Sequence, residues 1–210
     1  MNSGNIRRKL FVACAAVAAV LIIAVAMLAS RGGDNITRRE TPLEPSMAGP
    51  GTTAKKPPAA AIVWHDEPRP APTTEFQDAE GVTKTIQDFA PKVLVVNLWA
   101  TWCAPCVEEL PTLDALEAKL GGADFRVVAI AQDREGAKVV KPFVDAQGWK
   151  ALEVYLEPQA RFARDAKLRG LPTTLVIDRK GREIGRLEGT IDWAGDATVD
   201  RLKALIAEPH

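Results

Sequence analysis

Cys103 and Cys106 are separated by two residues, and they lie where an apolar run ends and a helical pattern begins. The preceding residues 92–100 are almost continuously apolar, which is typical of a central strand buried on both faces. Residues 105–120 place their leucines near one helix face, and Gly121 marks the predicted end. The chain must therefore fold so that a buried strand leads into a helix whose first turn holds two thiols.

The residues after position 73 alternate between strand and helix patterns. Residues 76–85 predict a hairpin with a glycine turn, and residues 86–89 predict a short helical turn. The other predicted elements are strands at residues 125–131, 152–156, 173–177 and 183–188, and helices at residues 139–147, 159–168 and 195–207. This alternation predicts an α/β domain with helices on both faces of one sheet.

The spacing of Cys103 and Cys106 predicts a redox pair. Two cysteines in the first turn of a helix approach closely enough to form a disulfide. The free N–H groups at the helix start favour the thiolate of Cys103, and Pro105 fits this turn because no intrahelical bond is lost there. We expect Cys103 to be the exposed nucleophile and Cys106 the buried thiol that resolves a mixed disulfide.

Half of a zinc site and a purely structural disulfide are the alternatives for this pair. Structural zinc takes four ligands, whereas the chain has no second cysteine pair and its histidines, His65 and His210, lie far away in sequence. A disulfide across so small a loop gains little chain entropy. The sequence therefore predicts no metal site and no cofactor. With 27 basic and 27 acidic residues, it also lacks the positive excess of a nucleic-acid binder.

Pro172 and Glu109 could contribute to the same site. Pro172 stands just before a predicted strand, where the residues alone favour an ordinary trans turn over a cis bond after Leu171. Glu109 follows Cys106 by three residues, so it could share the cleft. If burial raised its pKa, Glu109 would accept the proton of the resolving thiol. The alternative is that Glu109 is a solvated glutamate on the helix surface.

The first residues of the chain predict a membrane anchor. A basic leader, residues 1–9, precedes an uncharged run long enough to cross the ~30 Å hydrocarbon core, and residues 10–30 are assigned as the span. A cleaved signal peptide and a buried helix are the alternatives. Cys14 lies inside this run and is interpreted as a small apolar residue. The basic leader favours a cytoplasmic amino terminus, with the rest of the chain on the other side.

Residues 31–72 are rich in proline, glycine, alanine and charge. Such a segment cannot bury much apolar surface, so we expect a flexible linker between the anchor and a domain at residues 73–210. Trp64 is its one large apolar side chain. It is interpreted as an exposed aromatic residue, with a docking contact as the alternative.

Three motifs resemble the TlpA/ResA-like branch of the thioredoxin superfamily. They are residues 96–106 with 109–111 after them, the loop at residues 170–174, and residues 178–181 followed by Ile184. The resemblance covers about residues 73–207, and with the anchor included it is strongest to TlpA-type members. It implies a thioredoxin-like three-layer fold with a central mixed sheet, an N-terminal β-hairpin extension and a central insertion.

The resemblance also implies roles for particular residues. Glu109 matches the active-site glutamate of the branch by its offset from Cys106, and the bond before Pro172 is expected to be cis. The residues expected to contact the client are Trp102, Leu171, Pro172 and Thr173. Asn97 is a departure, because thioredoxins typically have a buried aspartate there. A proton relay would then need Glu109 or water.

The function implied by the resemblance is that of a thiol–disulfide oxidoreductase in the bacterial inner membrane, anchored by a single span with its catalytic domain in the periplasm. Its clients would be protein disulfides or dithiols in cytochrome c maturation or in assembly of the cytochrome oxidase copper site. Its electrons would come from a membrane thiol transporter of the CcdA/DsbD type. A disulfide-forming oxidant and a non-enzymatic metallochaperone are the alternatives.

Overall fold

Residues 60–208 are the part of the chain that the computed structural model describes. The strands are β1 (Val63–Pro70), β2 (Phe76–Gln77), β3 (Thr83–Lys84), β4 (Val93–Trp99), β5 (Phe125–Ala131), β6 (Val154–Leu156), β7 (Thr173–Ile177) and β8 (Arg182–Glu188). The helices are α1 (Ala104–Leu120), α2 (Ala137–Gln147), α3 (Arg161–Asp165) and α4 (Asp196–Ala207), with a 3-10 turn at Ile86–Phe89. The predicted order of elements is confirmed from β2 onward, and one further strand, β1, precedes it.

All strands of this region join one mixed sheet in the order β1-β8-β7-β4-β5-β6-β2-β3. Strand β4 pairs in parallel with β5 and antiparallel with β7, and all seven of its residues are buried. The predicted hairpin is β2–β3, which extends the sheet beyond β6. The thioredoxin-like α/β fold with a central mixed sheet is therefore confirmed.

The side chains of β4 alternate between two hydrophobic cores, one on each face of the sheet. The first core takes Val93, Val95 and Trp99 together with buried side chains of α1, α2 and α4. The second core takes Leu94, Val96 and Leu98 together with buried side chains of the 3-10 turn and α3. Since Asn97 has the same parity as Val95 and Trp99, it faces α1. The strand thereby brings one polar side chain beneath the helix of the cysteines.

The fold begins earlier than the sequence predicts, because residues 63–70 form β1. The prolines of this segment instead predict a flexible linker. Strand β1 lies at the sheet edge, where proline is tolerated, and its pairing with β8 shifts register between Trp64 and Arg69. Trp64 packs against the first core, and the guanidinium of Arg201 lies 4.8 Å from the centre of its ring. The interpretation of Trp64 as an exposed residue is wrong.

Helix α3 is shorter than the predicted helix at residues 159–168. Ala160 and Lys167 on either side of it have positive φ angles of 52° and 53°, a backbone conformation that does not continue a right-handed helix. Apolar spacing alone did not indicate these two backbone reversals.

Among the described residues, no helix is both long enough and apolar enough to cross a bilayer. The predicted leader, the span at residues 10–30 and Cys14 lie outside the described residues, as does most of the predicted linker.

The close packing of β1 on β8 leads to a stability prediction. A Cβ atom at Gly185 would stand 2.8 Å from Cε3 of Trp64 and 3.1 Å from Cγ2 of Ile62. We expect Gly185→Ala to lower the free energy of unfolding by about 1–3 kcal/mol, because the indole must move or the strands must part. Chemical denaturation measures the loss. Gly122→Ala is the matched control, since nothing lies within 4 Å of its added Cβ. Equal effects of the two changes would contradict the described packing.

Candidate active site

The turn between β4 and α1 places the cysteine pair at the start of a long helix. The N–H of Cys103 donates to the carbonyl of Ala100 at 3.1 Å, and Cys103 then occupies the N-cap position of α1. Pro105 lies in the first turn. Cys103 and Cys106 form a disulfide with their Cα atoms 5.3 Å apart. The predicted juxtaposition of the two sulfurs is therefore present.

The two cysteines differ in exposure. Cys106 is completely buried and Cys103 retains 6% of its surface, while the preceding Trp102 is 71% exposed. No side chain caps the N-terminus of α1, so its first N–H groups remain available to a thiolate at Cys103. Cys103 is therefore the more accessible of the two cysteines, but it is buried and not exposed as the sequence predicts, and the roles of the two thiols stay a prediction.

Asp133 holds the turn that carries the cysteines. Its carboxylate accepts the N–H of Thr101 at 3.0 Å and the hydroxyl of Thr101 at 2.6 Å. Sequence reasoning missed this residue. The available signal was its place just after β5, because the carboxyl ends of the parallel strands β4 and β5 lie at the same edge of the sheet.

Glu109 is buried under the redox turn and is 3% exposed. Burial raises the pKa of Glu109 to about 7, and hydrogen bonds from Asn97, Trp193 and the backbone of Ile191 oppose that rise. The side-chain amide of Asn97 donates at 2.8 Å to one carboxyl oxygen, and Nε1 of Trp193 donates at 3.2 Å to the other. Glu109 is thus a carboxyl that titrates near neutrality, one helical turn after Cys106.

Asn97 connects this carboxyl to the neighbouring strand. Its amide also donates at 2.9 Å to the hydroxyl of Thr174, its register partner on β7. Because Asn97 does not ionise, Glu109 has no second carboxylate beside it on β4. Thr174 and Trp193 were not predicted as part of this cluster. Pairing of β4 with β7 would have indicated Thr174, whereas no sequence pattern indicates Trp193.

The loop before β7 has the expected cis bond between Leu171 and Pro172. Only the family resemblance predicted it, since the residues alone favoured trans. Leu171 packs against the core that contains both cysteines, and the hydroxyl of Thr173 donates to the carbonyl of Gly170 at 2.7 Å. Thr173 is also the register partner of Leu98 on β4. The sheet therefore positions this loop next to the end of the strand that precedes the cysteines.

A groove of about 730 Å³ opens beside the redox turn. Trp102 lies at its wall with Gly170 and Leu171, so the structure brings two of the four predicted client-contacting residues to one groove. Pro172 and Thr173 are buried and do not line it. The roles of these residues in client binding stay a prediction.

A profile of the Redoxin family matches residues 67–204 of the chain. The match begins inside β1 and includes the cysteine turn, Glu109 and the cis-proline loop. It covers more than half of the chain and nearly all of the described fold.

Individual proteins are also similar to the chain in sequence or in structure. A thiol-disulfide oxidoreductase ResA from Bacillus thuringiensis is 30% identical over 119 residues, which cover 57% of this chain and 68% of that protein. A DsbE homolog from Paracoccus denitrificans, named thiol:disulfide interchange protein, is 35% identical over 123 residues, covering 56% and 64%. The crystal structure of a protein from Chlorobium tepidum assigned as DsbE superposes with a TM-score of 0.61 at 25% identity, covering 68% and 99%.

Proposed function

The chain belongs to the Redoxin family and is a thiol–disulfide oxidoreductase, and we propose that it is a membrane-anchored reductant of protein disulfides in the bacterial periplasm. One observation carries this proposal. Cys103 is the more accessible cysteine at the start of α1, and the completely buried Cys106 lies one turn ahead of a carboxyl whose pKa is about 7. This arrangement suits attack by Cys103 and release through Cys106.

The proposed cycle transfers two electrons from the cysteine pair to the client. The Cys103 thiolate attacks one sulfur of a client disulfide, that bond breaks, and the client's other sulfur leaves as a thiolate. Cys106 passes its proton toward the Glu109 carboxylate and attacks the Cys103 sulfur of the mixed disulfide. The second client thiol is released, and the Cys103–Cys106 disulfide remains. A dithiol donor must then restore the reduced pair.

The location and partners rest on the sequence. The basic leader and the uncharged run at residues 10–30 support an inner-membrane anchor with the domain on the periplasmic side. The resemblance to TlpA/ResA-like proteins supports a membrane thiol transporter of the CcdA/DsbD type as electron donor. It also supports clients in cytochrome c maturation or in copper-site assembly of cytochrome oxidase.

Thiol labelling in intact cells tests direction and location together. In cells that make Cys14→Ser protein at its native level, we expect a maleimide that cannot cross the inner membrane to alkylate Cys103 before lysis. A periplasmic reductant is held in the dithiol form by its donor, so most of the protein should react. A protein found mostly as the disulfide contradicts a reductant. Labelling that requires lysis contradicts the periplasmic location.

A further inference from the structure

Trp193 reaches the active site from the loop between β8 and α4, residues 189–195, and has no assigned role in the cycle. Its indole is completely buried, and Nε1 donates at 3.2 Å to one carboxyl oxygen of Glu109. The amide of Asn97 donates at 2.8 Å to the other oxygen. Each oxygen therefore has its own N–H donor, and the two bonds together define the orientation of the carboxyl group.

A second set of bonds joins the backbone of this loop to the same turn of α1. The N–H of Trp193 donates at 3.2 Å to the hydroxyl of Thr112, and that hydroxyl donates at 2.8 Å to the carbonyl of Glu109. The N–H of Ile191 also donates to the Glu109 carboxyl. Because these bonds fix the loop to the backbone and to the side chain of Glu109, the indole N–H is pre-positioned for this carboxyl.

The hydrogen-bond donors to the Glu109 carboxyl are all uncharged within residues 60–208. Strands β4 and β7 carry no ionisable side chain. In the loop, the carboxylate of Asp192 accepts the N–H of Ala194 at 3.0 Å, and the ammonium of Lys119 on α1 donates to the Ala194 carbonyl at 2.7 Å. Glu108, the neighbour on α1, is exposed. Hydrogen bonds, and not nearby charges, therefore oppose the effect of burial on Glu109.

These donors favour the ionised carboxyl over the protonated one. A carboxylate oxygen accepts an N–H bond more strongly than a neutral carboxyl does, so each donor lowers the free energy of the ionised form. Burial raises the pKa of Glu109 to about 7, and without the indole N–H we expect this pKa to rise further. The carboxyl would then keep its proton at neutral pH and could not accept the proton of Cys106.

We propose that Trp193 is a positioning residue for the resolving step, in which its indole N–H orients the Glu109 carboxyl and favours its ionised form. This inference rests on the proposed function, because the step that it assists is the transfer of a proton from Cys106 to Glu109. In this role Trp193 acts only through Glu109 and exchanges no proton itself.

Two successive colour changes allow the attack and the resolution to be measured separately on full-length protein that carries Cys14→Ser. The reduced protein releases one thionitrobenzoate from 5,5′-dithiobis(2-nitrobenzoate) when Cys103 attacks, and a second one when Cys106 resolves the mixed disulfide. Stopped-flow absorbance at a series of pH values gives a rate for each release.

For Trp193→Phe, which keeps an aromatic ring and removes the donor, we expect the midpoint of the pH profile of the second release to rise by about one unit. The second release should be about fivefold slower near pH 7 and within about twofold of the wild-type rate at about pH 9, where the carboxyl of both proteins is ionised. The first release should change by less than about twofold at every pH, because it does not use Glu109.

Trp149→Phe is the matched control. Trp149 packs against the same hydrophobic core and is not among the donors to the Glu109 carboxyl, so its variant should keep the wild-type midpoint. If Trp193→Phe does not fold, replacing the indole of Trp193 by benzothiophene keeps the two fused rings, removes the N–H and gives the same comparison.

A midpoint that does not move, or a second release that is slowed equally at every pH, overturns the inference, because a purely structural role would act in that way. A wild-type second release that does not rise with pH contradicts the proposed role of Glu109 itself.

Discussion

Cys106→Ser should abolish turnover with protein disulfides, by at least about a thousandfold, and leave clients covalently attached through Cys103. Cys103, the more accessible of the two cysteines, still attacks a client disulfide in this variant. The buried position next to it then holds a hydroxyl, which does not displace a thiolate from sulfur. The mixed disulfide therefore accumulates instead of being resolved.

Non-reducing electrophoresis followed by mass spectrometry measures the trapped species, and a stopped-flow burst of one equivalent measures the first attack. We expect Cys103→Ser to give neither a burst nor adducts, because Cys106 is completely buried. Both variants should also carry Cys14→Ser, which removes the only other thiol of the chain. Adducts formed by Cys103→Ser and not by Cys106→Ser would reverse the assigned roles.

The redox pair was predictable because its chemistry is local. A buried strand, a turn and a helix start can all be recognised within residues 92–120, and the thiolate is favoured by the helix end that those same residues create. The cis bond before Pro172 was predictable only from the family. Nothing in the residues near it distinguishes cis from trans, because the isomer depends on the packing of the whole loop.

The features that sequence reasoning missed depend on contacts between distant segments. Strand β1 forms because its backbone pairs with the edge of β8 and because Trp64 packs over Gly185. A local pattern of proline and charge reveals neither contact. Asp133 is 32 positions from its partner Thr101 in sequence, and Trp193 is 84 positions from its partner Glu109. Such groups become visible only once the register of the sheet is known.

The spacing from Cys106 predicts the place of Glu109, whereas its burial depends on contacts with distant segments. This burial makes the stability of the folded chain depend on pH. Folding raises the pKa of Glu109 from an ordinary value of 4.5 to about 7, chiefly through burial. Between these two values the folded carboxyl keeps its proton and the unfolded one has lost it. Raising the pH therefore favours unfolding across this window. Ionisation of Glu109 should thereby lower the unfolding free energy of the disulfide form by about 3 kcal/mol between pH 4.5 and pH 8.

Glu109→Gln should remove most of this slope, because glutamine keeps the shape of the protonated side chain and does not ionise. Denaturant titrations of the disulfide form at half-unit steps of pH measure it. Glu108→Gln is the matched control, since Glu108 is the exposed neighbour on the same helix. Burial also raises the pKa of Glu117, so a slope of the same sign should survive in Glu109→Gln, whereas Glu108→Gln should keep the wild-type slope.

The same substitution tests the proton path, because a group that ionises near pH 7 can accept the proton of Cys106 under working conditions. We expect Glu109→Gln to slow resolution of a preformed mixed disulfide by about a hundredfold at pH 7, with much less effect on the first attack by Cys103. The wild-type resolution rate should rise with pH through about 7 as the carboxyl ionises, and the variant should lack that rise. Asn97 cannot take over, since an amide does not accept the proton. If the variant kept the wild-type pH profile, the proton of the resolving thiol would have to leave by a route that does not include Glu109.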